Sequence, residues 1–306
     1  MATAKLVVWR ISDGKRGHDN QSLGLAEALE ECAPVATYTL PALPALRALA
    51  YGLAGRFLPA KGLPDPDLLL GAGHATHLTL LAARRARGGR AVVLMKPSLP
   101  LSLFDLCIIP QHDAVAPSGR VWVTRGALNR IRPSGEKDTR CGLILLGGPS
   151  QHYGWSDESV LEQVRAIAEC ERGIYWCIAT SRRTPDATLD GLRELTLDNV
   201  EVIAQQDTGA EWLPEKLAHA SQVWVTEDSA SMIYEALSSG AVTGVLAVPR
   251  RADSRVSRGV QHLIGQGLLT SFAEWRTGKA LRAPPQPFNE TARSARFILE
   301  TWFPGR

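Results

Sequence analysis

Leu6-Val7-Val8-Trp9-Arg10-Ile11 runs almost directly into Asp13-Gly14-Lys15-Arg16-Gly17-His18-Asp19-Asn20, after which apolar residues fall at Leu25, Ala28, Leu29 and Cys32. A continuous apolar run, a polar turn with glycine and then helical spacing read as strand, loop and helix. In an open parallel sheet such a loop stands at the carboxyl end of its strand, where ligands bind, and the first N–H groups of the helix remain free for an anion. Asp13, Lys15, Arg16, His18, Asp19 and Asn20 are more polar chemistry than a turn needs. The plain alternative is a solvated loop in which Asp13 or Asp19 caps the helix.

The pattern repeats along the chain. Strand-like runs at 5–11, 35–39, 67–71, 91–95, 105–109 and 121–124 are followed by others at 142–147, 173–179, 200–204, 222–226 and 242–247, with helical stretches between them. This alternation predicts an α/β chain with two Rossmann-like, doubly wound parallel sheets facing a central cleft. The break between them lies in 126–142, where Pro133-Ser134-Gly135 and the charges that follow mark a hinge. The predicted units are 1–138 and 139–285, with a C-terminal helix in 286–306. That helix follows the rigid Ala283-Pro284-Pro285-Gln286-Pro287, carries Ala295, Ile298, Leu299 and Trp302, and is expected to cross back onto the first unit. The second unit opens as the first does, with an apolar strand, Gly147-Gly148, a polar loop to Trp155, and a helix capped by Ser156 or Asp157.

Composition narrows the function classes. The 306 residues suit two domains, and 34 Lys+Arg against 31 Asp+Glu leave a net charge of +3, too small to point to nucleic acid. None of the five cysteines forms a Cys-x-x-Cys, so thiols in a reducing cytoplasm are expected and a zinc site is not. The first residues lack the apolar core of a secretory signal, and no run of about 18 apolar residues offers a spanning helix.

Polar groups gather at the predicted strand ends. In the first half these are the 13–20 loop, Gly71-Ala72-Gly73-His74-Ala75-Thr76-His77, Lys96-Pro97-Ser98 and Pro110-Gln111-His112-Asp113. Lys15, Asn20, Gly73, His74, Lys96, His112 and Asp113 therefore line the ligand edge expected of the first unit. Either His18 or His112 has the ordinary basicity to take a proton from a hydroxyl, with Asp13 or Asp113 to orient the ring. His18 with Asp13 is the preferred catalytic pair. The second half reads as a diphosphate site. Gly147-Gly148-Pro149-Ser150-Gln151 lets backbone approach an anion, and Ser181-Arg182-Arg183-Thr184 brings two guanidinium groups. In Glu227-Asp228-Ser229-Ala230-Ser231-Met232, Asp228 or Ser229 caps a helix whose first turn offers N–H groups and hydroxyls to phosphate. Glu235 shares the face of Ser231, one turn on, where its carboxylate can hold a ribose diol. These groups do the electrostatic work without a metal or cofactor, so none is expected.

SDGKRGHDNQSLGLAEAL, GAGHATH, FDLCIIPQHD, VTRGALNRI, LLGGPSQHYGW, ATSRRTP and VTEDSASMIYEAL, in that order between residue 9 and about residue 248, resemble the mitochondrial-fission Elm family, whose bacterial branch is grouped with glycosyltransferases. That family is similar to the GT-B superfamily, in which the second domain binds a nucleotide-diphosphate sugar, the first approaches the acceptor, and no metal is obligatory. The resemblance implies sugar transfer to a cell-envelope glycan or lipid-linked glycolipid. Glu227 and Glu235 have the Glu-x7-Glu spacing of many retaining GT-B enzymes. Gly17-His18 resembles the glycine–histidine loop of an inverting transferase that adds N-acetylglucosamine to the peptidoglycan lipid precursor, so stereochemistry stays open. The resemblance also carries two rivals, a non-catalytic adaptor of the mitochondrial-fission type and a nucleotide-sugar epimerase of the same architecture.

Residues 40–58 are apolar apart from Arg47 and Arg56. Two readings stay open: a peripheral contact with anionic lipid at the inner face of the membrane, on an otherwise cytoplasmic protein, or a helix packed on the first sheet.

Overall fold

The structure, a computed structural model, describes residues 5–305. Those up to Arg130, with those from Glu290 onward, form one compact unit, and Ile131–Asn289 form the other. The first contains β1 (Leu6–Ser12), α1 (Arg16–Cys32), β2 (Val35–Pro41), α2 (Ala45–Ala54), β3 (Leu68–Ala72), α3 (His77–Arg87), β4 (Arg90–Leu94), β5 (Leu106–Pro110) and β6 (Val121–Thr124). The second contains β7 (Asp138–Leu145), α4 (Asp157–Cys170), β8 (Tyr175–Ala179), α5 (Asp186–Arg193), β9 (Val200–Ile203), α6 (Trp212–His219), β10 (Ala220–Thr226), α7 (Ala230–Ser238), β11 (Val242–Leu246), α8 (Arg255–Gly265), β12 (Thr270–Ser271) and α9 (Phe272–Arg276). The last helix, α10 (Glu290–Trp302), belongs to the first unit.

Each unit is built on a six-stranded parallel sheet, of order β2-β1-β3-β4-β5-β6 in the first and β9-β8-β7-β10-β11-β12 in the second. All eleven predicted runs are strands. The twelfth strand, β12, has two residues, too few to leave a periodicity. The strand order reverses between β1 and β3 in one sheet and between β7 and β10 in the other. In doubly wound folds that reversal opens a crevice at the carboxyl ends of the strands.

The sheets are covered on both faces, which is why their strands read as unbroken apolar runs. In the first unit Leu6, Val8, Leu68, Leu70, Val92 and Ile108 pack against α1 and α10. The alternate residues Trp9, Ile11, Leu69, Val93 and Ile109 pack with Leu80 and Ala83 of α3. In the second unit two glycines admit tryptophans. Gly142 stands opposite Trp176 and Gly244 opposite Trp224, and a Cβ on either glycine would come within 2.4 Å of the indole. Both indoles are fully buried.

The unit boundary lies ahead of residue 138. Residues 131–137 attach to the second unit, where the Ser134 N–H donates to the Ser239 carbonyl (3.4 Å) and Lys137 Nζ donates to that of Leu217 (2.6 Å). The last helix starts at Glu290, whose carboxylate is buried and fastens α10 to the first sheet. It accepts from the Arg125 N–H (3.0 Å), Arg125 Nε (2.8 Å) and Arg293 Nη2 (2.5 Å). Arg293 also donates to the Val123 carbonyl and lies over Trp122, which stacks on Phe297 with centroids 3.9 Å apart. Gly24 on α1 leaves room for this junction, since a Cβ there would stand 2.4 Å from the Asn129 carbonyl oxygen.

Burial pushes the Glu290 carboxyl up, but hydrogen bonds from Arg293 and Arg125 outweigh it and hold the group below its ordinary value of 4.5. A carboxylate whose pKa is depressed on folding stabilises the protein above its unfolded pKa, and that stability is lost as the pH falls through the folded value. Glu290→Gln is expected to cost about 2–3 kcal/mol at pH 7, the low side for a broken buried pair because both arginines reach solvent. Thermal melts across pH 3–7 check this: the wild type loses stability steeply below about pH 4.5 and the variant loses less.

Candidate functional site

In the second unit the candidate site is assembled by the loops after β7, β8 and β10. The Gly147 N–H donates to Thr226 Oγ1 (2.7 Å) and the Gly148 N–H to Asp228 Oδ2 (3.0 Å). Ser181 Oγ and Thr184 Oγ1 donate to the Gly147 carbonyl at 2.8 and 2.5 Å. Arg183 reaches across with Nη1 to the Gly148 carbonyl (2.6 Å) and Nη2 to Asp228 Oδ2 (2.7 Å). A Cβ at Gly147 would lie 2.2 Å from Asp228 Oδ2, and one at Gly148 2.0 Å from the Arg183 carbonyl oxygen. The glycine pair is there so that Asp228 and Arg183 can close on bare backbone.

This corrects part of the expected diphosphate site. The N–H groups of Gly147 and Gly148 are already taken by Thr226 and Asp228, and the Asp228 carboxylate would repel an anion placed beside them. Asp228 does not cap α7. Glu227 is also committed: it is buried and paired with Arg250, Nη2 to Oε2 2.6 Å, Nε to both oxygens 3.3 Å. That pair ties the end of β10 to the chain after β11, which in turn bridges to Tyr153. Ser150 Oγ accepts from the N–H groups of His152 and Tyr153 (3.2 Å each), and exposed Gln151 places Nε2 2.9 Å from His152 Nε2.

What remains open to an anion is the start of α7. Ser229 occupies the cap position without a side-chain cap bond, and the first intrahelical donor is the Ile233 N–H to the Ser229 carbonyl (3.1 Å). The N–H groups of Ala230, Ser231 and Met232 therefore precede the helical ladder. Ser231 is exposed, while Ser229, Met232 and Glu235 are half-buried. Arg182 is exposed beside Arg183 and makes no ion pair among the described residues. The α4 cap follows expectation, with Ser156 accepting from the Ser159 N–H.

In the first unit the loops after β1 and β3 meet at the point of strand reversal. Lys15 occupies the cap position of α1, but no side chain caps it. Asp13 instead turns to the loop, accepting from the Lys15 N–H through Oδ1 (3.1 Å) and bonding His18 Nδ1 through Oδ2 (2.8 Å). Burial pushes the Asp13 carboxyl up, yet the hydrogen bonds from His18 and Lys15 prevail and hold it below its usual range. An ionised carboxylate only accepts, so Nδ1 of His18 carries the proton and Nε2 is left as the basic nitrogen. The imidazole lies against Gly73, where a Cβ would stand 2.2 Å from Cε1. Gly73 thus serves the ring's position. Asp19 pairs with the buried Arg10 (2.7 Å) and fastens α1 to β1.

His74 is exposed and His77 buried. Desolvation, helped by the nearby His74, lowers the His77 pKa to about 4, so at neutral pH it is an uncharged packing residue against Phe104. Lys96 is exposed just after Met95, which holds φ +70° at the end of β4. His112 and Asp113 form a half-buried single turn after β5, and Asn20 is half-buried in the first turns of α1. Reading the sequence missed Thr226, Arg250 and Arg10. Thr226 lies inside the motif Val225–Leu237 and Arg250 lies 13 residues beyond it, and nothing local says that their partners come from other loops.

The mitochondrial fission ELM1 family model matches residues 16–302, and the chain belongs to this family. The uncharacterized protein RP120 of Rickettsia prowazekii (strain Madrid E) is 21% identical over 95% of this chain and 97% of its own length. Among solved structures, a Listeria monocytogenes protein assigned as a UDP-N-acetylglucosamine 2-epimerase superposes with a TM-score of 0.62 at 14% identity, covering 97% of this chain and 95% of that one. The UDP-GlcNAc 2-epimerase of Methanocaldococcus jannaschii, in complex with UDP-GlcNAc and UDP, gives 0.51 at 11% identity, with 97% and 100% covered. The fold is of the GT-B type.

The neighbouring arginines are expected to behave oppositely. Arg183→Ala leaves the buried Asp228 carboxylate without its cation and should destabilise the second unit by about 1–3 kcal/mol. Arg182→Ala should stay within about 0.5 kcal/mol of the wild type. Urea or thermal melts of the two variants distinguish them, and equal stability would mean that Arg183 does not hold these loops together.

Proposed function

We propose that this ELM1-family chain is a metal-independent glycosyltransferase that moves a sugar from a nucleotide-diphosphate donor to a cell-envelope acceptor, glycan or lipid-linked. The observation that carries the reading is the uncapped start of α7 at the strand reversal of the second sheet, with Ser229, Ser231 and three N–H groups ahead of the ladder. A diphosphate placed there would be met by the helix dipole, two hydroxyls and Arg182, and Glu235 one turn on would accept from the ribose diol. As the sugar–diphosphate bond breaks, negative charge collects on the leaving phosphate oxygen, and the same groups stabilise it. On the first unit, His18 Nε2 takes the proton of the acceptor hydroxyl as its oxygen bonds to the anomeric carbon. Asp13 holds the tautomer and offsets the charge of the imidazolium. The solved structures to which the fold is similar include one with UDP-GlcNAc and UDP bound, which makes uridine diphosphate the first probe.

The fold likeness to 2-epimerases supports a second reading, in which the same donor is bound and released with one sugar carbon inverted, no acceptor being used. NMR of a nucleotide sugar incubated with the protein alone separates the two: a new nucleotide sugar favours the epimerase, and an unchanged donor favours the transferase. An adaptor would need neither the His18–Asp13 pair nor an open α7.

Uridine diphosphate or another nucleoside diphosphate at 100 times its dissociation constant should stabilise the protein by about 2.7 kcal/mol. Ser229→Ala/Ser231→Ala and Arg182→Ala should each weaken that binding about tenfold or more, measured by calorimetry. No thermal shift with any nucleoside diphosphate would remove the donor site. His18→Ala, by contrast, should leave diphosphate affinity unchanged and lower turnover by about 10²–10⁴-fold, because the base acts in the transition state. If turnover survives in that variant, the base lies elsewhere and His112 is next to be tested.

A further inference from the structure

Among the described residues six large apolar side chains stand exposed, and four of them, Leu46, Leu49, Leu53 and Leu58, fall in one stretch of the first unit. Leu46 and Leu53 are each 84% exposed. On α2 the first three lie at i, i+3 and i+7, one stripe of the helix. The opposite side is occupied: Ala48 is buried, and a Cβ on Gly52 would make ordinary contact with Ala82 of α3 at 3.8 Å. Arg47, Arg56 and Lys61 are exposed around the stripe and form no ion pair among the described residues, and no acidic residue occurs between Glu31 and Asp65.

We infer that this face of α2 is a docking surface for an anionic lipid bilayer. Exposed leucines flanked by exposed arginines, with acids absent for more than thirty positions, match a surface of anionic headgroups over acyl chains. A second copy of the chain fits poorly. A ten-residue helix presents a stripe of about 15 by 10 Å, roughly 150 Å², against about 800 Å² per partner in a stable interface, and it would set like charges together. The lead-in to α2 is fixed to β1 and α3, with the Ala42 N–H donating to the Ser12 carbonyl (2.7 Å) and the Leu43 N–H to Thr79 Oγ1 (2.8 Å). Ser12 is the residue before Asp13, so the segment leading into α2 is anchored next to the loop that carries Asp13 and His18. The surface goes beyond the transfer reading and is tested by binding alone, so its failure would leave the nucleotide site untouched.

The test is co-sedimentation of the full chain with phosphatidylcholine vesicles, with and without phosphatidylglycerol, at low and high salt. The wild type should sediment with anionic vesicles at low salt and not with neutral ones. Leu46→Ser/Leu53→Ser and Arg47→Glu/Arg56→Glu should each lower partitioning by at least about tenfold. The charge-matched control Arg165→Glu/Arg172→Glu, on the second unit, should bind as the wild type does. Circular dichroism melts confirm that the exposed substitutions leave the fold intact. The inference is overturned if the wild type stays in solution with anionic vesicles at low salt, if the control loses binding equally, or if both α2 variants still sediment. Concentration-dependent self-association abolished by the leucine pair would also overturn it, in favour of a second copy.

Discussion

The carboxylate of Asp228 holds the carboxyl edge of the second sheet in shape. Its Oδ2 receives the Gly148 N–H and the Arg183 guanidinium, while the neighbouring Thr226 receives the Gly147 N–H. Three loops, after β7, β8 and β10, thereby close on one buried charge. Such a charge is tolerable inside a protein only when it is paired and hydrogen-bonded, and each partner here comes from a different strand end. The consequences spread outward: two glycines are required, Arg183 is withdrawn from ligand duty, and the chain leaves β10 so that α7 begins with its N–H groups uncovered. The backbone donors left without a partner are then those of the helix start and not those of the glycine loop.

The first unit applies the same logic to a proton. Asp13 is spent neither on solvent nor on capping α1; it fixes Nδ1 of His18, and Gly73 gives the ring a place to lie. Arg10 and Asp19 lock the start of α1 to β1 beneath it. In both units charged side chains that the sequence offers to a ligand are spent instead on fixing loops, as expected where a site is preorganised by its own scaffold.

The fold was legible in the sequence because strands buried on both faces carry unbroken apolar runs, and eleven such runs stood out between glycine- and charge-rich turns. The two-residue β12 could not announce itself. The unit boundary was misplaced because Lys137 and Ser134 are anchored by Leu217 and Ser239, residues far along the chain. The motifs fall on loops at the carboxyl ends of the strands, but which of their residues fasten a neighbouring loop did not show. Asp228 bonds Gly148 across 80 positions and Arg183 across 45, and Glu227 meets Arg250 across 23. A polar residue that fastens a neighbouring loop and one that faces a ligand look alike until loop adjacency is known. The resemblance of the motifs supplied the family, and the geometry reassigned the parts.

Amide hydrogen exchange read by mass spectrometry, with and without saturating uridine diphosphate, tests most directly whether the α7 start is the anion site. The prediction is slowed exchange in peptides covering 229–234, with little change at 147–148, whose N–H groups are already bonded within the protein. Protection centred on 147–148 with none at the start of α7 would contradict it, and would return the glycine pair to the role that Asp228 and Thr226 now exclude.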